Sequence, residues 1–149
     1  MTHPQWLELK RTVRFGETDA AGVVHFQHFL GWCHQAWEES LELFGIEACS
    51  IFPGGRGSRP SIALPIVHCE ADFYAPLQTG DAITLWLQPK RINPSCFELA
   101  TEIFFDDKKV ARGLLRHVAI NPSTRKRCNL PDDIDRWLER SCLGQLSSL

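Results

Sequence analysis

A carboxylate, Asp19, sits in the stretch Arg14-Phe15-Gly16-Glu17-Thr18-Asp19-Ala20-Ala21-Gly22-Val23-Val24-His25-Phe26, a tight turn that leads straight into a segment of helical spacing. The start of a helix presents unpaired backbone N–H groups and the positive end of the helix dipole, which together polarise a carbonyl oxygen or stabilise an oxyanion. A carboxylate on the adjoining turn can attack that carbonyl carbon or activate a water against it. The spacing between Asp19 and the first helical N–H groups therefore allows a nucleophile or base and an oxyanion site in one place. An aspartate ahead of a helix also serves simply as a cap or turn residue, and spacing alone does not separate the two roles.

Other chemistries find no support. There is no G-x-S-x-G, no Walker A sequence, no H-E-x-x-H, and no G-x-G-x-x-G between a strand and a helix. His25 and His28 are spaced i,i+3, but a metal needs a third ligand on the same face, and His34 lies nine residues past His25, about 180° around a helix. No metal and no cofactor are expected.

The elements that must position Asp19 follow from periodicity. Trp6 to Phe15 alternates, with Leu7, Leu9, Val13 and Phe15 on one side, and predicts a first strand. Phe26, Phe29, Leu30, Cys33, Trp37, Leu41 and Phe44 then predict a helix of about 19 residues, roughly 28 Å long, stopped by Gly45. Pro53 to Pro60, rich in glycine, reads as a loop outside any strand-to-helix context and so as a flexible flap. Four extended segments come after it: Ile62 to Tyr74, one carrying Ile83, Leu85 and Leu87, one carrying Phe97, Leu99, Ile103 and Phe105, and Val110 to Ile120 after a polar turn at Asp106 to Lys109. Pro131 to Leu143 predicts a short helix with Ile134, Trp137 and Leu138 inward. A strand, a long helix and four successive strands imply an α+β fold, one helix covering a curled antiparallel sheet of about five strands.

With 149 residues, 44% hydrophobic and 23% charged, the chain is expected to form a single domain over 1–149. A net charge of −2 supplies no global pull toward nucleic acid or an anionic membrane, so any anionic ligand needs a local basic patch. No apolar run approaches the ~20 residues that span a bilayer, and the first ten residues lack the apolar core of a signal peptide. A cytoplasmic location is expected, with Cys33, Cys49, Cys69, Cys96, Cys128 and Cys142 reduced.

The stretch F-G-E-T-D-A-A-G-V-V-H-F, with the later Phe73-Tyr74-Ala75-Pro76-Leu77-Gln78-Thr79-Gly80-Asp81, resembles the two signature segments of the 4-hydroxybenzoyl-CoA thioesterase family of hotdog-fold enzymes. The resemblance runs from about Trp6 to Pro122, and within the family it is most similar to the cyanobacterial 1,4-dihydroxy-2-naphthoyl-CoA thioesterases of phylloquinone biosynthesis. It implies that Asp19, in its D-x-A-G turn, is the catalytic aspartate and that the backbone N–H of Phe26 or a close neighbour meets the oxyanion. Ala20 stands where many members have proline. His25, Phe29, Phe73 and Tyr74 are then expected around the acyl group, with Phe26, and Lys90 and Arg91 near the CoA phosphates. Arg56, Arg59, Arg125, Lys126 and Arg127 are further candidates for those phosphates, since arginine pairs bidentately with them.

A more distant branch uses a helix glutamate, but Glu38, Glu39 and Glu42 lie two or more turns past the expected site and read as a solvated face. The resemblance implies an acyl-CoA substrate, no cofactor, and a homodimer or homotetramer pairing edge to edge. Open alternatives are a thioesterase for fatty or other acyl-CoA or acyl-carrier-protein substrates, and a non-catalytic acyl-CoA-binding module. A hotdog hydratase lacks its usual Asp and His pair here.

Overall fold

Helical spacing over 26–44 and two-residue alternation in the later segments resolve into one helical layer against one sheet. The computed structural model describes residues 3–56 and 60–146, the side chains of 143–146 excepted. The strands are β1 (Glu8–Thr12), β2 (Ile66–Phe73), β3 (Ala82–Asn93), β4 (Cys96–Phe105) and β5 (Lys108–Val118). They form an antiparallel sheet in the order β1-β3-β4-β5-β2, so β1 and β2 are its edges. The helices are α1 (Phe26–Phe44), α2 (Ala48–Ile51) and α3 (Asp132–Leu146). One long helix on a five-strand antiparallel sheet is the hotdog architecture that the sequence led us to expect.

Helix α1 buries Phe29, Trp32, Cys33, Ala36, Trp37, Ser40 and Leu41, the three-and-four spacing of a single face. Opposite them the sheet buries Leu85, Leu87, Phe97, Leu99, Ile103 and Leu115. Each large side chain removed from water in this way contributes about 1.5–3 kcal/mol. The layers approach closely at Gly113 of β5, where an added Cβ would stand 2.7 Å from Cys33 Sγ and 3.2 Å from Phe29 Cε1. Helix α1 stops at Gly45, whose φ of 110° lets its N–H return to the carbonyls of Leu41 and Glu42. The Trp137 indole on α3 donates to the buried Ser40 hydroxyl at 3.0 Å and so clips α3 to α1.

Several boundaries differ from the sequence expectation. The first strand is shorter than Trp6 to Phe15: residues 15–17 wind into a 3₁₀ turn, the alternation ends at buried Val13, and Phe15 is 75% exposed. The Ile62 to Tyr74 segment becomes a strand only over 66–73, where the alternation has no core to face, because nearly every β2 side chain is exposed. The short α2 was not anticipated, and α3 runs on to Leu146. Asp106 and Asp107 both take positive φ, 50° and 62°, as a two-residue hairpin joining β4 to β5 requires.

Candidate active site

The turn that carries Asp19 is shaped by Asp19 itself. Its Oδ1 accepts the N–H of Ala21 at 2.8 Å and of Val23 at 3.4 Å. Its backbone N–H donates to the Val23 carbonyl at 2.8 Å, and the Gly22 N–H, in a residue with φ of 80°, returns to the Asp19 carbonyl at 3.0 Å. Among the described residues nothing donates to Oδ2. The carboxylate thus shapes the turn through Oδ1, and Oδ2 is left without a partner among the described residues.

Backbone bonds at the start of α1 aim the turn. The His25 N–H donates to the Glu17 carbonyl at 2.9 Å. His25 is the N-cap of α1; its Nδ1 accepts the Gln27 N–H at 3.3 Å, which leaves the ring proton on Nε2. The His28 N–H goes back to the His25 carbonyl at 3.0 Å. These bonds use the neighbouring donors and leave the Phe26 N–H without a partner among the described residues, at the start of the helix where the resemblance placed the oxyanion contact.

Asp19, His25, Phe26, Phe29, Phe73 and Tyr74 all line one cleft of about 590 Å³, together with Leu77 and Ala111. Phe29 is its floor, buried in the core and touching Phe73 edge-on at 5.0 Å between ring centroids. Phe26, Phe73 and Tyr74 are more than half exposed and stand as walls. The cleft can therefore hold a flat apolar group beside the Asp19 side chain and the first residue of α1.

Glu17 is a positioning residue that sequence reasoning missed. One carboxylate oxygen accepts the Arg14 N–H at 2.8 Å and the other the Trp32 indole N–H, which fastens the Asp19 turn to α1. The available signal was its place three residues after Arg14, the spacing of a capping box.

The basic candidates lie elsewhere. Lys90 and Arg91 are at the far end of β3 from the cleft, eight or nine residues beyond Ala82, about 27 Å or more along the strand. Arg91 pairs with Asp135 of α3 at 2.6 Å. Arg56, Arg125, Lys126 and Arg127 are exposed, and Arg59 lies outside the described residues. Glu38 pairs with His34, Glu39 with Arg11, Glu42 is exposed, and none of the three lines the cleft. Among the described residues no group of three His, Cys, Asp or Glu side chains is gathered for a metal ion, and no helix is long and apolar enough to cross a membrane.

Two buried groups are strongly shifted, neither of them in the cleft. Burial pushes the Cys33 thiol up to about 12, which keeps it protonated and inert. Burial, with a smaller push from His34, takes His117 down to about 4 despite its hydrogen bond with the Leu64 carbonyl.

Asp19 and the first residue of α1 thus line one aromatic cleft on a hotdog scaffold, the fold of the thioesterase-like proteins. Residues 13–138 match the family model described as the thioesterase-like superfamily, and the chain belongs to that superfamily. It is 62% identical over 144 residues, 97% of either chain, to a 1,4-dihydroxy-2-naphthoyl-CoA hydrolase of Synechococcus sp. (strain CC9902). Among solved structures, one from Prochlorococcus marinus strain MIT 9313 matches with a TM-score of 0.91 and 52% identity, covering 95% of this chain and 99% of that one. A 1,4-dihydroxy-2-naphthoyl-CoA thioesterase from Synechocystis matches with a TM-score of 0.81 and 31% identity, over 89% and 94% of the two chains.

Proposed function

We propose that this protein is a cytoplasmic acyl-CoA thioesterase that hydrolyses 1,4-dihydroxy-2-naphthoyl-CoA to 1,4-dihydroxy-2-naphthoate and CoA, a step toward phylloquinone. The observation that carries the reading is that Asp19 Oδ2 and the Phe26 N–H, neither with a partner among the described residues, belong to residues that line one cleft. The names of the relatives, at identities up to 62%, supply the acyl group.

Two balanced routes use this geometry. As a base, Asp19 takes a proton from water while the water oxygen bonds to the thioester carbon; the resulting oxyanion is held by the Phe26 N–H, then collapses and breaks the C–S bond. The CoA thiolate leaves and recovers the proton from Asp19. As a nucleophile, the Asp19 oxygen bonds to the carbonyl carbon, CoA thiolate departs, and water then hydrolyses the mixed anhydride. Either route needs the oxyanion donor, a contact worth roughly 3 kcal/mol. No cofactor enters either route.

His25, Phe29, Phe73 and Tyr74 surround the acyl group in this reading, and Lys90 and Arg91 meet the CoA phosphates. Their distance along β3 means they would serve a cleft of a neighbouring subunit, in a homodimer or homotetramer. Purified protein given 1,4-dihydroxy-2-naphthoyl-CoA should release free thiol with turnover, read with a thiol reagent. Tight binding without thiol release would make it a non-catalytic acyl-CoA-binding module instead.

A further inference from the structure

Phe29 belongs to the core and to the cleft at once. It is 1% exposed, packs with the buried residues of α1, and still lines the Asp19 cleft. A phenyl ring lies that low only where the sheet beneath it leaves room, and Gly113 of β5 leaves it. A Cβ added there would stand 3.2 Å from Phe29 Cε1 and 3.8 Å from Phe29 Cζ, whereas carbon atoms pack best at about 3.5–4.0 Å. One edge of the ring thus rests on bare β5 backbone.

The backbone itself does not ask for glycine at 113. Its φ lies outside the positive region that Gly22, Gly45, Gly54 and Gly80 occupy. It sits inside the ladder, opposite Thr101 of β4 on one side and Ala71 of β2 on the other. Glycine weakens a strand at such a position and marks a place where another group comes close. What position 113 uses is therefore the missing Cβ.

A ring lifted off β5 has little space to move into except the cleft. Cys33, one turn further along α1, puts its Sγ 2.7 Å from the same Cβ position and fills the core on that side. Phe73 meets the Phe29 ring edge-on at 5.0 Å, and Phe73 is itself a cleft-lining side chain. Ala111, two residues before Gly113 on the same face of β5, lines the cleft directly. Resting on the thioesterase reading above, we infer that Gly113 is a positioning residue for substrate choice. By letting Phe29 lie flush with β5 it gives the cleft the depth that a fused two-ring acyl group needs, and a side chain at 113 acts through Phe29 to favour single-ring acyl groups.

The test compares 1,4-dihydroxy-2-naphthoyl-CoA with 2,5-dihydroxybenzoyl-CoA, which keeps the thioester and both hydroxyls and lacks only the second ring. Gly113→Ala should lower kcat/KM for the two-ring substrate at least about tenfold, mostly through KM, and for the single-ring substrate by less than about twofold. Adding Phe29→Leu removes the displaced ring and should return the ratio of the two substrates toward its wild-type value. Adding Cys33→Ala instead relieves the contact with sulfur, so it should recover stability and leave the ratio shifted; this double variant carries the comparison should Gly113→Ala alone fold poorly. Equal losses on both substrates in Gly113→Ala and in the Cys33→Ala double variant would make Gly113 a packing residue only and overturn the inference, as would a shifted ratio that Phe29→Leu leaves unmoved. Wild-type protein that hydrolyses neither thioester would overturn the thioesterase reading itself, and this inference with it; wild-type turnover with an unmoved ratio in the variants overturns the inference alone.

Discussion

Val24 donates its backbone N–H to the carbonyl of Leu77 at 2.9 Å, joining the turn that carries Asp19 to the loop between β2 and β3. Nearby, Val13 donates to the Asp81 carbonyl at 2.9 Å, Gly80 returns a bond to Val13 at 2.8 Å, and the Asp81 carboxylate accepts the Gln78 N–H at 2.8 Å. Two stretches some fifty residues apart in sequence are thereby one structural unit, the facing walls of a single cleft. The carboxylate comes from the first and the aromatic side chains Phe73 and Tyr74 come from the end of β2, just before the second.

Asp19→Asn should keep the fold and abolish most hydrolysis. The amide oxygen can still accept the Ala21 N–H, so the turn persists, but an amide is neither base nor nucleophile. A loss of roughly 10²–10⁴-fold in kcat is expected, with an unchanged circular dichroism spectrum on the same sample. Retention of most of the activity would remove Asp19 from the chemistry.

Glu17→Ala should cost both stability and rate. It strips acceptors from the Arg14 N–H and the Trp32 indole, a loss of about 2–3 kcal/mol in urea unfolding, and it frees the Asp19 turn from α1. Because Glu17 acts through Asp19, kcat should fall more than KM rises, and Glu17→Gln, which keeps one acceptor, should fall between Ala and wild type. Equal losses for Gln and Ala would contradict the positioning role.

The elements legible in the sequence were those with a face to bury. Helix α1 ran over the expected Phe26 to Phe44 because Phe29, Cys33, Trp37 and Leu41 all meet the sheet. β2 was overextended because alternation alone does not say whether a face meets a core, and this strand lies at an edge. Phe15 was misplaced inward because a 3₁₀ turn changes the side-chain period after Val13. At the site, Asp19 and the aromatic residues were legible because they sit next to one another in two short stretches. Glu17 was not, because its work depends on Trp32, fifteen residues away. The distance of Lys90 and Arg91 from the cleft was also hidden, since it depends on which end of β3 faces the Asp19 turn.

Gly113→Ala should be destabilising by about 1–3 kcal/mol, because its Cβ would press on Cys33 Sγ and on the Phe29 ring that floors the cleft. Adding Cys33→Ala removes the sulfur and should recover part of that loss. Additive effects of the two substitutions in chemical denaturation would show that the contact is not the cause.

Stability should fall as pH drops below about 6.5. His117 is fully buried, ring-stacked on Phe97 and close to Trp37 and to His34, which is itself paired with Glu38. Its folded value near 4 lies below the unfolded one, so between about 4 and 6.5 the unfolded chain binds the extra proton and is favoured. The contribution is complete above that window and declines through it, by an amount on the order of 3 kcal/mol at its lower end. His117→Gln, which can still donate to the Leu64 carbonyl, should flatten the dependence of unfolding free energy on pH between 7 and 5; an unaltered slope would assign the acid lability to another group.

The last prediction concerns the choice of substrate. Phe26, Phe73 and Tyr74 wall the cleft and Phe29 floors it, so a planar ring system meets aromatic faces and edges on several sides. Offset and edge contacts of that kind favour a rigid ring over a flexible chain, which loses rotational freedom on binding and finds no ring partner. A sixteen-carbon chain would need a long enclosed tunnel, whereas this is an open cleft of about 590 Å³. 1,4-Dihydroxy-2-naphthoyl-CoA should therefore be hydrolysed with kcat/KM at least about tenfold above that for palmitoyl-CoA, a difference of about 1.4 kcal/mol in transition-state binding. Phe73→Ala should narrow the ratio by weakening the aromatic substrate more than the aliphatic one. Equal or faster hydrolysis of palmitoyl-CoA by the wild-type protein would overturn the naphthoyl assignment and leave thioester hydrolysis standing.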